Sequence, residues 1–309
     1  MKTILTLTMN PALDINTAIA NVVPERKLRC DTPRYEPGGG GINVSRALHN
    51  LGGTSVAAYV TGGPTGLILE HLLAHQSFEH HPLRVAGWTR PSFVVFETTT
   101  SLQYRFGTPG PTLDPMEADA CLKELTTMIS KSDFLVASGS LPPGAPEDCY
   151  AQVARIGKQA GSRIILDTSG SALRLALEQG VCLCKPNLNE LRNLVGSDLL
   201  EEREQEDAAR SIVEQGKSEV VVVSLGGAGA LLATRAGVTR MRAPTVKIQS
   251  KVGAGDSMVA GITLGLSRDM PLIEAVRFGL AAGSAAVMTP GTELCRRDDT
   301  ERLYRQMTS

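Results

Sequence analysis

Short apolar runs alternate along this chain with longer amphipathic stretches, and few folds accept that rhythm. A buried parallel strand reads as a continuous apolar run, and its chain must return through a crossover, usually a helix, before it can pair in parallel again. The alternation therefore predicts βαβ units around a largely parallel sheet, an α/β fold. Residues 4–8, 55–60, 133–138, 163–166, 181–184 and 219–224 read as strands. Residues 41–51, 114–130, 146–159, 188–195, 204–215, 256–267 and 271–287 read as helices. Two stretches, 17–35 and 92–106, alternate apolar and polar residues with no helix between, as antiparallel strands with one covered face do. Together they predict a small sheet covering the main body.

A chain of 309 residues can bury a large core, and α/β enzymes of this length often form one unit. No internal repeat, low-complexity tract or Gly-, Pro- or Ser-rich linker divides it. One domain over 1–309 is expected, with lid segments near 14–36 and 89–107. Thirty-one basic against 32 acidic residues leave a net charge of −1, so no long-range field favours nucleic acid or an anionic membrane. Anion binding must be local. The first apolar run meets Asn10 and Pro11 before it reaches signal or membrane length, which reads as the first strand of a cytoplasmic protein. Cys30, Cys121, Cys149, Cys182, Cys184 and Cys295 are scattered, with no CxxC pair, and are expected to be reduced and mostly packed.

The strongest local signal is Ser250-Lys-Val-Gly253-Ala254-Gly255-Asp256-Ser-Met, leading into a helix of small apolar residues. Glycines let backbone approach a ligand, and a helix N-terminus offers unpaired N–H groups and a positive dipole end to an anion. Asp256 in the first turn is placed to accept a proton from a hydroxyl attacking a phosphoryl group. Asp is also a common helix cap, and these nine residues leave both roles open. Pro37-Gly38-Gly39-Gly40-Gly41-Ile-Asn43 enters another helix, where a sugar can lie against backbone and Asn43 can reach a hydroxyl; a plain turn reads the same way. No Lys-Ser or Lys-Thr follows, so it is no P-loop, and Met258 replaces the third glycine of a dinucleotide fingerprint.

Lys185-Pro-Asn187-Leu-Asn-Glu190 puts Asn187 and Glu190 one turn apart, suited to Mg²⁺ held through water or to ordinary capping. Ser224-Leu-Gly226-Gly227-Ala-Gly229 follows a Val-rich strand, where a nucleotide or a tight turn fits equally. His71 and His75 lack the Glu of HExxH. His80, His81, Cys182 and Cys184 lack partners at metal-ligand spacing.

In order, the Gly-rich entry, NxxE, the SLG turn and the GAGD helix resemble the ribokinase-like (PfkB) family of carbohydrate kinases along essentially the whole chain. Pro11-Ala-Leu-Asp14, Lys27-Leu-Arg29-Cys30, the GGGGINV run, Ser138-Gly-Ser-Leu-Pro-Pro-Gly144 and Val252-Gly-Ala-Gly-Asp256-Ser-Met258 resemble its minor bacterial 6-phosphofructokinase branch. Related 1-phosphofructokinases and tagatose-6-phosphate kinases commonly carry Lys in the glycine run, where this chain has Gly40.

The resemblance implies a three-layer α/β/α sandwich with a β lid, dimerising through that lid. It implies that Asp14, Gly39, Gly40, Asn43, the backbone at Gly139, and Asp256 hold the sugar while Lys27, Arg90 and Arg105 face its phosphate. It further implies an ATP site at Lys185, Asn187, Ser224, Gly226, Gly229 and Ser284, with Glu190 and Asn187 ordering Mg²⁺. Finally, it implies a K⁺ loop at Ser250, Val252, Ala286, Thr289, Gly291 and Glu293, although related enzymes show Asn and Arg where Thr289 and Glu293 stand. The expected reaction is ATP-dependent phosphorylation of the C1 hydroxyl of fructose 6-phosphate, with Asp256 as base and the N–H groups of Gly253, Ala254 and Gly255 stabilising the charge. The alternatives are a 1-phosphofructokinase, a tagatose-6-phosphate kinase, or a sensor that binds without turnover.

Overall fold

The run at 4–8 forms a strand with all five residues buried, and the rest of the chain is laid out on either side of it. The computed structural model describes residues 2–308. In chain order, the elements are β1 (Ile4–Thr8), β2 (Ala12–Ile19), β3 (Arg34–Gly38), α1 (Gly40–Asn50), β4 (Val56–Thr61), α2 (Gly63–Ala74), β5 (Glu79–Arg84), β6 (Arg90–Glu97), β7 (Leu102–Gly107), α3 (Pro115–Ile129), β8 (Phe134–Ser138), α4 (Cys149–Ala160), β9 (Arg163–Asp167), α5 (Gly170–Leu177), β10 (Val181–Cys184), α6 (Leu188–Val195), α7 (Glu202–Glu214), β11 (Ser218–Ser224), β12 (Ala230–Thr234), β13 (Gly237–Met241), α8 (Ala254–Ser267), α9 (Leu272–Ala286) and α10 (Arg297–Thr308).

Nine strands form one sheet in the order β13-β12-β11-β10-β9-β8-β1-β4-β5, parallel from β11 to β5 and antiparallel at β12 and β13. The chain runs from β1 outward to β4 and β5, then restarts on the other side of β1 with β8. Strand order thus reverses between β1 and β8, and ligands bind at the carboxyl ends of strands at such a switch. Side chains alternate across the sheet. Phe134 and Val136 of β8 pack with Val44, Val259 and Val276 beneath α1, α8 and α9, while Leu135 and Ala137 pack with Leu125, Val153 and Leu173 beneath α3, α4 and α5. α8 and α9 meet closely because Gly261 faces Gly279; a Cβ on Gly261 would lie 2.7 Å from the Gly279 Cα.

A second sheet, in the order β3-β2-β6-β7, stands over the carboxyl ends. Here one expectation is corrected: β2 and β6 pair in parallel, and only the outer pairs are antiparallel. β2 follows β1 and β6 follows β5, strands that themselves run in one direction, so the two leave the main sheet the same way. Of the stretch 17–35, only the ends are strand; residues 20–33 form an almost wholly exposed connection. Among the described residues, no helix is long and apolar enough to cross a membrane. All six cysteines are free, and five are buried.

Candidate active site

A cleft of about 580 Å³ opens at the switch point, between the carboxyl ends of β1, β8 and β9 and the inner face of the small sheet. Its narrowness explains the glycine run. Gly39 has φ +116°, and a Cβ there would lie 2.7 Å from Thr8 Cγ2 and 3.0 Å from Pro11 Cα. At Gly40 a Cβ would lie 2.3 Å from Ser138 Oγ and 2.8 Å from the Gly139 nitrogen. The run therefore threads between β1 and β8 where no side chain fits, and it delivers Asn43, buried, to the cleft one turn into α1.

Asp256 faces Asn43 from the other side. Gly253, left-handed at φ 73°, starts α8, and Asp256 lies in its first turn. Asn43 Nδ2 donates to Asp256 Oδ2 at 2.9 Å. That bond crosses the cleft to α1, whereas a helix cap would turn back to its own backbone. Burial first, then the charge of Asp167, raises the Asp256 pKa to about 6; the Asn43 bond and Lys185 oppose the rise. Asp14 is also raised to about 6, chiefly by burial, against the Ser92 hydroxyl and the charges of Arg105, Arg90 and Arg46. Carboxyls in this range suit proton transfer near neutral pH.

Lys185, at the end of β10, is almost fully buried, and its Nζ lies 3.0 Å from Asp167 Oδ1. Burial lowers the lysine pKa, but Asp167, Glu190 and Asp256 outweigh it and the net direction is upward, so this is a charged pair under the α8 N-terminus. Asn187 and Glu190 form a reciprocal capping box: Glu190 Oε2 accepts from the Asn187 N–H at 2.8 Å, and Asn187 Oδ1 accepts from the Glu190 N–H at 2.9 Å. They thus cap α6, and Glu190 also lines the cleft.

The structure brings Asp14, Gly39, Gly40, Asn43, Arg90, Arg105, Gly139, Glu190, Val252, Gly253 and Asp256 to one cleft. Gly139 stands in that lining with its backbone hydrogen-bonded to the neighbouring segments. That residue's N–H donates to Asp167 O at 3.0 Å, and its carbonyl accepts from Tyr150 at 3.1 Å and Thr168 at 2.9 Å. Lys27 lies on the exposed 20–33 connection and is not among the residues of its own chain that line this cleft.

Ala254, Gly255, Asn187, Ser224, Gly226, Gly229 and Ser284 lie outside the lining; Ala254 and Gly255 stand between Gly253 and Asp256, and Asn187 is bonded to Glu190. Ser224 N–H donates to Pro186 O at 2.9 Å. A Cβ on Gly255 would lie 3.5 Å from Lys185 Nζ, and one on Gly283, beside Ser284, 3.0 Å from the Ala254 carbonyl. The segments holding Ser250, Val252, Ala286, Thr289 and Gly291 also meet, through the Ser250 N–H on Val287 O at 3.3 Å. The Thr289 hydroxyl bonds the carbonyls of Ala286 and Leu294, and the Glu293 carboxylate turns out to Arg296 at 2.7 Å.

Sequence reasoning missed Asp167, Ser138, Ser169 and Lys251, all of which line the cleft. The signal for Asp167 was its place at the carboxyl end of a buried parallel strand, the edge where such sheets bind ligands. Lys251 stands beside the GAGD turn, and three cations (Arg90, Arg105, Lys251) face four carboxylates (Asp14, Asp167, Glu190, Asp256) in the lining.

The family model described as pfkB family carbohydrate kinase matches residues 7–299. The chain is 51% identical over 301 residues to ATP-dependent 6-phosphofructokinase isozyme 2 of Mycobacterium tuberculosis, covering 97% of this chain and 88% of that one. It is 44% identical over 305 residues to the isozyme 2 of Escherichia coli, covering 98% of each. A 1-phosphofructokinase of Bacillus subtilis is 35% identical over 292 residues, covering 94% of this chain and 95% of the other. Crystal structures of the E. coli phosphofructokinase-2 align over 100% of both chains at 42% identity, with a TM-score of 0.95 for the potassium complex and 0.93 for the fructose-6-phosphate complex.

Proposed function

This chain belongs to the pfkB family of carbohydrate kinases, and from that membership and the cleft we propose that it transfers the γ-phosphoryl group of ATP to the C1 hydroxyl of fructose 6-phosphate. The observation that carries this is Asp256, at the mouth of α8, lining one cleft with Arg90 and Arg105. The carboxylate takes the hydroxyl proton as the C1 oxygen bonds to the γ-phosphorus. The bond from that phosphorus to the bridging oxygen breaks, and ADP leaves. The first N–H groups of α8, at Gly253, Ala254 and Gly255, stabilise the moving charge, and Arg90 and Arg105 face the 6-phosphate. Relatives named for 6-phosphofructokinase share more of the sequence than the 1-phosphofructokinase does, which supports a phosphate at C6 and reaction at C1.

Kinases of this family use ATP with a metal ion. Among the described residues no three His, Cys, Asp or Glu side chains cluster to hold a metal by themselves, which suits Mg²⁺ carried on phosphate oxygens and water. Glu190 and Asn187 would order that water shell, and the ion would neutralise phosphate charge. K⁺, present in a solved neighbour, would rest here on the backbone oxygens of Ser250, Val252 and Gly291 and not on Glu293, which is paired with Arg296.

The outer face of the small sheet supports assembly. In its register Tyr35, Ile15, Phe93 and Phe106 stand side by side across all four strands, and the three aromatic residues are exposed. A second copy of the chain would cover this row. The catalytic reading is tested by ADP release over a panel of phosphorylated and free sugars. Fructose 6-phosphate is expected to give the highest kcat/KM; a tenfold preference for fructose 1-phosphate or tagatose 6-phosphate, or turnover of free sugars only, overturns it.

A further inference from the structure

Behind the cleft, α1 carries a second functional face. Arg46 lies one turn beyond Asn43, and its side chain is only 11% exposed. Its NH1 donates to the Pro37 carbonyl at 3.1 Å and approaches Asn43 Oδ1 at 3.5 Å, while its NH2 lies 3.5 Å from Glu36 Oε1. The other oxygen of Glu36 accepts from Asn16 Nδ2 at 2.7 Å and from Thr292 Oγ1 at 2.6 Å. Glu36 therefore joins four segments: β2, β3, α1 and the 289–293 turn. None of these four polar side chains is a nucleophile, base or phosphate ligand in the proposed reaction.

We infer that Glu36 and Arg46 are a positioning pair that sets the orientation of Asn43, and through Asn43 the orientation of the Asp256 carboxylate. The inference rests on the catalytic reading above and adds residues to it. The physical basis is the asymmetry of an amide. A flipped Asn43 would point its NH₂ at a guanidinium that only donates and its oxygen at a carboxylate that only accepts, so both contacts would turn repulsive. Arg46 thus leaves one orientation, in which Nδ2 faces Asp256 Oδ2 at 2.9 Å. Arg46 needs an anion of its own because it is buried, and Glu36 supplies it; burial lowers the guanidinium pKa, and Glu36, Asp14 and Asp256 act against that. Since Glu36 sits on the small sheet, the amide is held in register with the strands that cover the substrate.

The test is steady-state kinetics on the full-length enzyme with ATP and fructose 6-phosphate. Arg46→Gln is expected to lower kcat on the order of 10- to 100-fold, the scale of a misplaced catalytic group, with the KM for ATP changed less than about twofold. Arg46→Lys, which keeps the charge but not the fork, should recover part of the loss. The deciding arm is the Asn43→Ala background, where Arg46→Gln should cost less than about a further twofold because the residue it acts through is gone. Glu36→Gln, nearly isosteric, should show a smaller loss of the same kind and serves if Arg46→Gln does not fold. Unchanged kcat in both variants, or losses that multiply with Asn43→Ala, overturns the positioning role. A wild-type enzyme that turns over no phosphorylated hexose instead sinks the catalytic reading, and this inference with it.

Discussion

Asn43 and Asp256 are 213 positions apart in the chain and meet at 2.9 Å, joining the helix that follows one glycine-rich turn to the helix that follows another. The donor holds the carboxylate in its ionised form against the effect of burial. Asn43→Ala removes that support, so the Asp256 pKa should rise above about 6 and the acid limb of kcat/KM should move to higher pH by roughly one unit, the scale of one charge-assisted hydrogen bond. pH–rate profiles of the two enzymes check this; superimposable acid limbs would refute it.

The same shift has a sign in stability. Asp256 and Asp14 ionise near 3.8 when unfolded and near 6 when folded, so between those values the folded protein holds more protons. Stability from these sites is present at low pH and is lost as pH rises through about 6. Asp256→Asn should therefore melt higher than wild type at pH 8, by a margin that shrinks toward pH 5. Calorimetry at both pH values decides, and a lower melting temperature at pH 8 would count against the raised pKa.

Lys185 and Asp167 form a buried pair, and removing one partner strands the other. Lys185→Met should cost about 3–5 kcal/mol in urea unfolding, and Lys185→Met combined with Asp167→Asn should cost less than Lys185→Met alone. A double variant no more stable than the single one would show that the pair is not the source of the loss.

The aromatic row Tyr35, Phe93 and Phe106 predicts a dimer of about twice 32.8 kDa. Light scattering on wild type and on Phe93→Asp with Phe106→Asp should give dimer and monomer respectively. A wild-type monomer at micromolar concentration would remove the interface.

What the sequence made legible follows physical rules. β1, β10 and α6 keep the expected boundaries because buried apolar runs and an Asn-x-x-Glu box mark their own ends. α2 escaped because Leu67 and Ile68 are exposed beside buried Leu69 and Leu73, so no apolar stripe stands out. α10 escaped because half of its residues are charged, held by Arg297–Glu301 and Arg302–Asp299 pairs, and it is anchored by few buried residues, Leu303 among them. In the site, glycine-flanked residues could be picked out because their neighbours demand special backbone. Asp167 was marked only by its place at the end of a strand and Arg46 by nothing local, since each matters through a partner distant in sequence or across a helix turn.

The most direct test of Asp256 as the base is the kcat of Asp256→Asn with saturating ATP and fructose 6-phosphate. The substitution keeps the shape and an oxygen that can still accept from Asn43, and removes only the basicity. A fall of roughly 10²–10⁴-fold, with nucleotide affinity unchanged or slightly improved, is the expected result. Retention of more than about a tenth of wild-type kcat would contradict proton transfer to Asp256 and return that residue to a structural role.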